Sequence, residues 1–170
     1  MISQNIEKAL NDQVRIEAES SQIYLSMASW AEIKGLSGVS KFMYAQSDEE
    51  RTHMLKLVKF INERGGHAQV SELKAPKTNY ATFKEVFQEL YTHEVFVSNA
   101  INELVHISIA EKDYATHNFL QWYVAEQIEE EAQAKHILDK INLIGDDKGG
   151  LYLFDRDIEQ LTLNGSLSKI

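Results

Sequence analysis

Four long stretches of this chain carry apolar side chains every three or four residues, and a glutamate interrupts the middle of each stretch. Such spacing keeps side chains on one face of an α-helix, so each stretch predicts a helix with a buried face. The interrupting residues are Glu17, Glu50, Glu94 and Glu130. Burying four uncompensated carboxylates would rival the whole stability of a domain, about 5–15 kcal/mol. Because the four stripes contain no lysine or arginine, the sequence predicts that metal cations balance these charges.

The composition favours one helical domain and excludes several classes of site. A chain of 170 residues with one proline suits a single all-α domain. Its net charge of −9 argues against nucleic acid or an anionic membrane as partner and suits traffic in cations. The absence of cysteine excludes disulfides, iron–sulfur clusters and thiolate zinc sites. With neither a signal-like start nor an apolar run long enough to span a bilayer, a cytoplasmic protein is expected.

Turn and cap residues divide the chain into four long helices and a short fifth. Ser3 is a predicted N-cap, and Thr82-x-x-Glu85 is a predicted capping box that opens the third helix. The predicted helices cover residues 3–34, 38–64, 83 to about 111, 114–144 and 153–161. A domain over residues 1–162 is expected, followed by a frayed tail over 163–170.

The lengths of the connections predict the bundle topology. Two short connections produce antiparallel hairpins, whereas the connection of about sixteen residues after the second helix reaches ~50 Å when extended. That reach allows the third helix to run parallel to the second. In this four-helix bundle all four glutamates lie near mid-height, so they can converge on one point.

The spacing of the polar residues indicates a carboxylate-rich site for two ions. Glu50 and His53 form a Glu-x-x-His pair, and Gln127 and Glu130 repeat that spacing on the fourth helix. The other two helices supply one glutamate each. Di-metal carboxylate bundles combine two such glutamates with two Glu-x-x-His motifs, so this chain matches three quarters of that pattern. Oxygen ligands with one imidazole suit Fe²⁺ or Mn²⁺, and bridging carboxylates allow two ions about 3.5–4 Å apart.

Other residues near this site have two interpretations each. Glu49 with Glu126 or Glu129 either forms a solvated acidic face or holds a further cation. Tyr24 and Tyr123 are either plain core aromatics or hydrogen-bond donors to a metal ligand. The spacing alone leaves both questions open.

Several motifs resemble those of bacterial non-haem ferritins, in the same order from residue 1 to about 161. They are Glu17 followed by Tyr24, the Glu49-Glu50-Arg51-Thr52-His53 segment, Asn102-Glu103-Leu104 after Glu94, and Asn118-Phe119-Leu120-Gln121-Trp122-Tyr123 before Glu126-Gln127.

The resemblance implies roles for individual residues. A first iron site is implied at Glu17, Glu50 and His53, with Glu50 bridging to a second site that Glu94 and Glu130 complete. A third iron site is implied at four acidic residues, Glu49, Glu126, Glu129 and Glu130. By the same resemblance, Gln127 supplies an amide on the dioxygen side and Tyr24 lies beside the centre.

The resemblance also implies an iron store with ferroxidase activity. Fe(II) would be oxidised by O2 or H2O2 and kept as a ferric oxyhydroxide mineral inside a cage of twenty-four subunits, whose fourfold contacts the fifth helix would line. No haem is expected, because bacterioferritins carry Glu-x-x-His in both motifs whereas this chain has Gln127-x-x-Glu130.

Two other classes of function stay open on the residues alone. A di-iron oxidase acting on an organic substrate would need an apolar pocket beside the metals. A helical interaction protein would leave the glutamates solvated.

Overall fold

The computed structural model describes residues 2–165, with side chains through residue 160, and this part of the chain contains five helices and no strands. The helices are α1 (Gln4–Ile33), α2 (Ser37–Glu63), α3 (Phe83–Ala110), α4 (Tyr114–Ile144) and α5 (Lys148–Gly165). The predicted all-α fold is confirmed, and the first four helices begin and end within a residue or two of their predicted bounds. No helix in the described range is long and apolar enough to cross a membrane.

Side-chain caps explain where three of the helices begin. The hydroxyls of Ser3 and Thr82 each accept a hydrogen bond of 3.1 Å from the amide three residues later. The carboxylate of Glu85 reaches back to the amide of Ala81 at 2.6 Å, one residue earlier than in the predicted capping box. Asp113 caps α4 by accepting from the amide three residues on at 3.0 Å. These bonds satisfy amides that lack a partner within the first helical turn.

The predicted fifth helix, 153–161, is correct in position but too short. The predicted start at residue 153 follows Gly149 and Gly150, yet both glycines lie in the first turn of α5. The amide of Gly150 donates to Oδ2 of Asp147 at 2.5 Å, so a side chain caps this turn. Residues 166–170 of the predicted tail lie outside the described part, and the domain boundary at residue 162 stays a prediction.

The apolar core consists of two clusters at opposite ends of the bundle. One cluster joins the second halves of α1 and α4 to the first halves of α2 and α3; its fully buried large members are Tyr24, Met27, Met43, Phe87 and Ile137. The other cluster joins the first halves of α1 and α4 to the second halves of α2 and α3; its members include Ile6, Leu10, Leu57, Ile61, Ile101 and Leu120. Because α2 and α3 begin in the same cluster, they run parallel, as the long connection predicts.

The connection between α2 and α3 runs along α1. The side chain of Asn11 donates to the carbonyl of His67 at 3.1 Å and accepts from the amide of Gln69 at 2.7 Å. Further along α1, the hydroxyl of Ser26 donates to the carbonyl of Lys77 at 2.7 Å. These bonds hold the connection along the bundle, and near its end the connection contributes the buried ring of Tyr80 to the apolar core.

The fifth helix packs against the start of α2 at very close range. The amide of Val39 donates to Oδ1 of Asp155 at 2.9 Å. A Cβ atom added to Gly38 would lie 1.7 Å from the carbonyl oxygen of Asp155, so only glycine permits this approach.

Candidate metal centre

A buried polar layer lies between the two apolar clusters, at the middle of all four long helices. Its four glutamates are almost completely shielded from solvent, with exposures of 1% for Glu17, Glu50 and Glu94 and 8% for Glu130. The other buried polar members are Gln13, Ser20, Ser21, Gln46, Ser47, His53, Ser98 and Gln127. The predicted burial of the four carboxylates is therefore confirmed.

Three side chains of this layer converge closely enough to hold one cation. Ligand atoms of Glu17, Glu50 and His53 all lie within 4.8 Å of one another. Nδ1 of His53 is 3.3 Å from Oε2 of Glu50. Oε2 of Glu17 and Oε2 of Glu50 are buried without a hydrogen bond in the described part of the chain. Buried oxygens of this kind are costly unless a cation binds them, so the donor set fits a hard divalent ion.

The same burial perturbs the acidity of the carboxyl groups. Burial raises the pKa of Glu17 well above its usual range, and the neighbouring charge of Glu50 raises it further. Burial also raises the pKa of Glu50, and the charges of Glu94 and Glu130 add to that effect. The pKa of Glu94 is likewise raised, chiefly by burial. The protein without metal therefore tends to retain protons on this layer, which a cation would displace.

The remaining two glutamates are held by hydrogen bonds from neutral side chains. Oε1 of Glu94 accepts a short hydrogen bond from the hydroxyl of Tyr24. Oε2 of Glu94 accepts from Nε2 of Gln127 at 3.1 Å. Oε2 of Glu130 accepts from Nε2 of Gln46 at 3.3 Å. Tyr24 thus contacts a predicted metal ligand directly, which is one of the two interpretations left open by its spacing.

A second group of potential ligands lies on the outer side of His53. Ligand atoms of Glu49, His53 and Glu126 also lie within 4.8 Å of one another. Nε2 of His53 is 4.0 Å from Oε2 of Glu126, so the two ring nitrogens face different carboxylate groups. Glu129 is exposed and belongs to neither group.

Aromatic rings enclose His53 on the side of α4. The rings of Trp122 and His53 meet edge to face with centroids 5.2 Å apart. The ammonium of Lys56 lies 3.2 Å from the centroid of Trp122 on α4. The hydroxyl of Tyr123 donates to the backbone carbonyl of His53 at 2.8 Å. Tyr123 therefore fixes the backbone of a predicted ligand rather than its side chain.

Comparison with known proteins gives a consistent assignment. A sequence model of the ferritin-like domain matches residues 7–144. A probable bacterial non-heme ferritin-like protein of Haemophilus influenzae is 45% identical over 162 residues, covering 95% of this chain and 98% of that protein. A bacterial non-heme ferritin of Campylobacter jejuni is 43% identical, covering 96% and 98%. This chain belongs to the ferritin-like family.

Solved structures agree with that assignment. An open pore ferritin from the archaeon Archaeoglobus fulgidus superposes on this ferritin-like chain with a TM-score of 0.92 at 43% identity, covering 94% of this chain and 98% of that one. A humanized archaeal ferritin gives the same TM-score at 44% identity, covering 94% and 96%. The ferritin-like four-helix bundle predicted from the sequence is thereby confirmed.

The structure brings the predicted ligands of this ferritin-like chain together to different degrees. Glu17, Glu50 and His53 form one compact group, whereas Glu94 and Glu130 lie in the same layer but in neither group of three. The roles predicted for all of these residues, and for the third iron site, stay predictions.

Sequence reasoning assigned no role to three polar residues in the layer or next to it. Gln13 and Gln46 donate to Glu17 and Glu130, and both stand on the predicted apolar faces or next to them. His93 accepts or donates a bond of 2.7 Å with Ser20 and packs edge to face on the ring of Tyr24. Their positions in the sequence could have indicated a role, because each lies about one helical turn or less from a predicted ligand.

Proposed function

We propose that this chain is an iron-storage ferritin with a ferroxidase centre formed by Glu17, Glu50, His53, Glu94 and Glu130. The observation that carries the proposal is that the buried carboxylates of Glu17 and Glu50 converge, while the Oε2 atom of each has no hydrogen bond among the described residues. Fe²⁺ is the substrate, and the names of the relatives as non-heme ferritins support that choice.

The chain's own residues account for the direction of the reaction. Two Fe²⁺ would displace the protons that Glu17, Glu50 and Glu94 retain in the metal-free protein. Hard anionic oxygens stabilise Fe³⁺ more than Fe²⁺, so they favour oxidation. With dioxygen, two Fe²⁺ and two protons give two Fe³⁺ and H2O2; with peroxide, two Fe²⁺ and two protons give two Fe³⁺ and two waters. Each iron loses one electron in either case.

Storage is proposed to follow from self-association. The chain would assemble into a cage of twenty-four copies in which Fe³⁺ accumulates as an oxyhydroxide, with Glu49, Glu126 and Glu129 staging iron between the centre and the interior. The net charge of −9 supports this proposal, because an acidic protein attracts cations.

Two observations argue against the other functions considered. A helical interaction protein would leave its glutamates in water, whereas these four are at most 8% exposed. An oxidase acting on an organic substrate needs an apolar pocket at the metals. None of the four glutamates lines either of two apolar cavities in the described part of the chain, one of about 380 Å³ between α1, α3 and the α2–α3 connection and one of about 390 Å³ between α4 and α5.

The test is a comparison of two double variants that remove the same residue types. Glu50→Ala with His53→Ala removes two ligands of the compact group. Glu103→Ala with His106→Ala removes a Glu-x-x-His pair on α3 whose two members are both exposed. Oxidation of Fe²⁺ is followed by the near-ultraviolet absorbance of Fe³⁺, and assembly is followed by analytical ultracentrifugation.

The first double variant should assemble normally and lose rapid Fe²⁺ oxidation, while the second should oxidise Fe²⁺ like the unmodified protein. Equal initial rates in all three proteins would refute the proposed centre. A uniform loss of rate in both variants would equally contradict it, because the effect would then not depend on position.

A further inference from the structure

Three glutamine side chains in the buried layer each point an amide N–H at a different glutamate. Nε2 of Gln13 donates to Oε1 of Glu17 at 2.8 Å. The other two pairs are Gln46 with Glu130 at 3.3 Å and Gln127 with Glu94 at 3.1 Å. Gln13, Gln46 and Gln127 are only 2%, 6% and 6% exposed. Three of the four central carboxylates therefore receive a neutral amide donor from within the core.

A neutral amide is suited to orienting a carboxylate that must also bind a cation. A lysine or arginine at the same place would neutralise the carboxylate and compete with the metal. An amide N–H fixes one oxygen and leaves the negative charge in place. At Glu17 the result is visible: Oε1 accepts from Gln13, whereas Oε2 is buried without a hydrogen bond in the described part of the chain.

Hydrogen bonds between α1 and α2 already fix the backbone beside the centre, so the glutamine amides are needed only to orient the glutamate side chains. The hydroxyl of Ser21 donates to the carbonyl of Ser47 at 2.8 Å, and that of Ser47 donates to the carbonyl of Ser21 at 2.7 Å. This reciprocal pair sets the spacing of α1 and α2 beside the centre. Gln13 lies four residues before Glu17 on the same helical face, so its amide needs only to set the rotation of that carboxylate.

We propose that Gln13 and Gln46 are positioning residues that hold Glu17 and Glu130 in the orientation required for metal binding. This inference rests on the proposed function, since it assigns roles in the same centre. Neither glutamine contacts the metal in this scheme; each acts through the glutamate that accepts its bond. Donors of this kind commonly contribute a factor of about 10–100 to metal affinity.

The test removes each donor while retaining the length and volume of its side chain. Gln13→Met and Gln46→Met are titrated with Co²⁺ under anaerobic conditions, and both the dissociation constant and the visible Co²⁺ spectrum are recorded. Ser108→Ala is the control, because Ser108 is fully buried on α3 and loses one 2.7 Å bond to the carbonyl of Val105. Far-UV circular dichroism of each metal-free protein checks the fold.

Each methionine variant should bind Co²⁺ about 10–100-fold more weakly at one site and alter the Co²⁺ spectrum, with unchanged helical content. Ser108→Ala should leave both readouts as in the unmodified protein. If the methionine variants fail to fold, Gln13→Asn and Gln46→Asn replace them, because they keep the amide but withdraw it by one methylene.

Two failures are distinguishable. Unmodified protein that binds no Co²⁺ would overturn the proposed function and this inference together. Unmodified protein that binds Co²⁺, with methionine or asparagine variants of the same affinity and spectrum, would overturn this inference alone.

Discussion

Replacing Glu50 by glutamine should make the metal-free protein more stable at neutral pH. Glu50 is 1% exposed, and burial together with the charge of Glu94 raises its pKa. A carboxyl with a raised folded pKa contributes fully to stability below its unfolded pKa, about 4.3, and that contribution is lost as the pH rises toward the folded value. At pH 7 the unfolded chain is thus favoured by ionisation, and Glu50→Gln removes this penalty.

The expected gain follows from the cost of a poorly compensated buried charge. Neutral replacements of buried ionic groups commonly stabilise proteins by about 1–4 kcal/mol. For a chain of this size, each kcal/mol raises Tm by about 2–4 °C. Glu50→Gln should therefore raise Tm by several degrees at pH 7 in the presence of a chelator, and by much less at pH 4, where the carboxyl is mostly protonated in both states.

Metal should oppose this difference in stability. Zn²⁺ at about 100 times its Kd stabilises a protein by ~2.7 kcal/mol, and the variant should lose most of that gain because it lacks a ligand. Thermal unfolding at one protein concentration, followed by circular dichroism with chelator or Zn²⁺, measures both effects. A variant that melts below the unmodified protein in chelator at pH 7 would refute the reasoning, as would a difference in Tm that is the same at pH 4 and pH 7.

Three further results are expected. Metal binding should release protons and become tighter as the pH rises, because burial raises the pKa of Glu17 and Glu94. Calorimetric titrations in two buffers of different ionisation enthalpy should therefore give different heats of binding, and identical heats would contradict this. Co²⁺ should quench the fluorescence of Trp122, because its ring centroid lies 5.2 Å from that of His53. The quenching should be the same in a Trp30→Phe variant as in the unmodified protein, and quenching that persists in a Trp122→Phe variant would contradict the expectation. Gly38→Ala should destabilise the packing of α5 by about 1–3 kcal/mol, because the new Cβ would overlap the backbone carbonyl of Asp155. A lower Tm and faster proteolysis within α5 are the expected results, and an unchanged Tm would argue against so close an approach.

The periodic apolar stripes were sufficient to predict the bundle. A helix of about 30 residues repeats its buried face many times, so a few polar interruptions do not obscure the pattern. The interruptions themselves were the strongest functional signal, and the prediction that all four glutamates are buried is confirmed. The crossover was predictable because only a long connection can return α3 parallel to α2.

Side-chain detail was less predictable for physical reasons. The start of α5 was missed because glycines normally weaken a helix, and the cap from Asp147 that compensates is a local contact. The roles of Gln13 and Gln46 depend on rotamers, which periodicity does not specify. Glu129 is exposed although it adjoins a buried glutamate, since neighbouring residues on a helix face directions about 100° apart.

The separation of the apolar core into two end clusters has a thermodynamic consequence. Substitutions confined to opposite ends share no partners, so their effects on unfolding should add in the metal-free protein. All four long helices contribute a carboxylate to the layer between the ends, so a bound ion would connect both halves of every helix. Metal loading is thus expected to convert two weakly coupled ends into one cooperative unit, and the energetic coupling between distant core positions would then report on iron content.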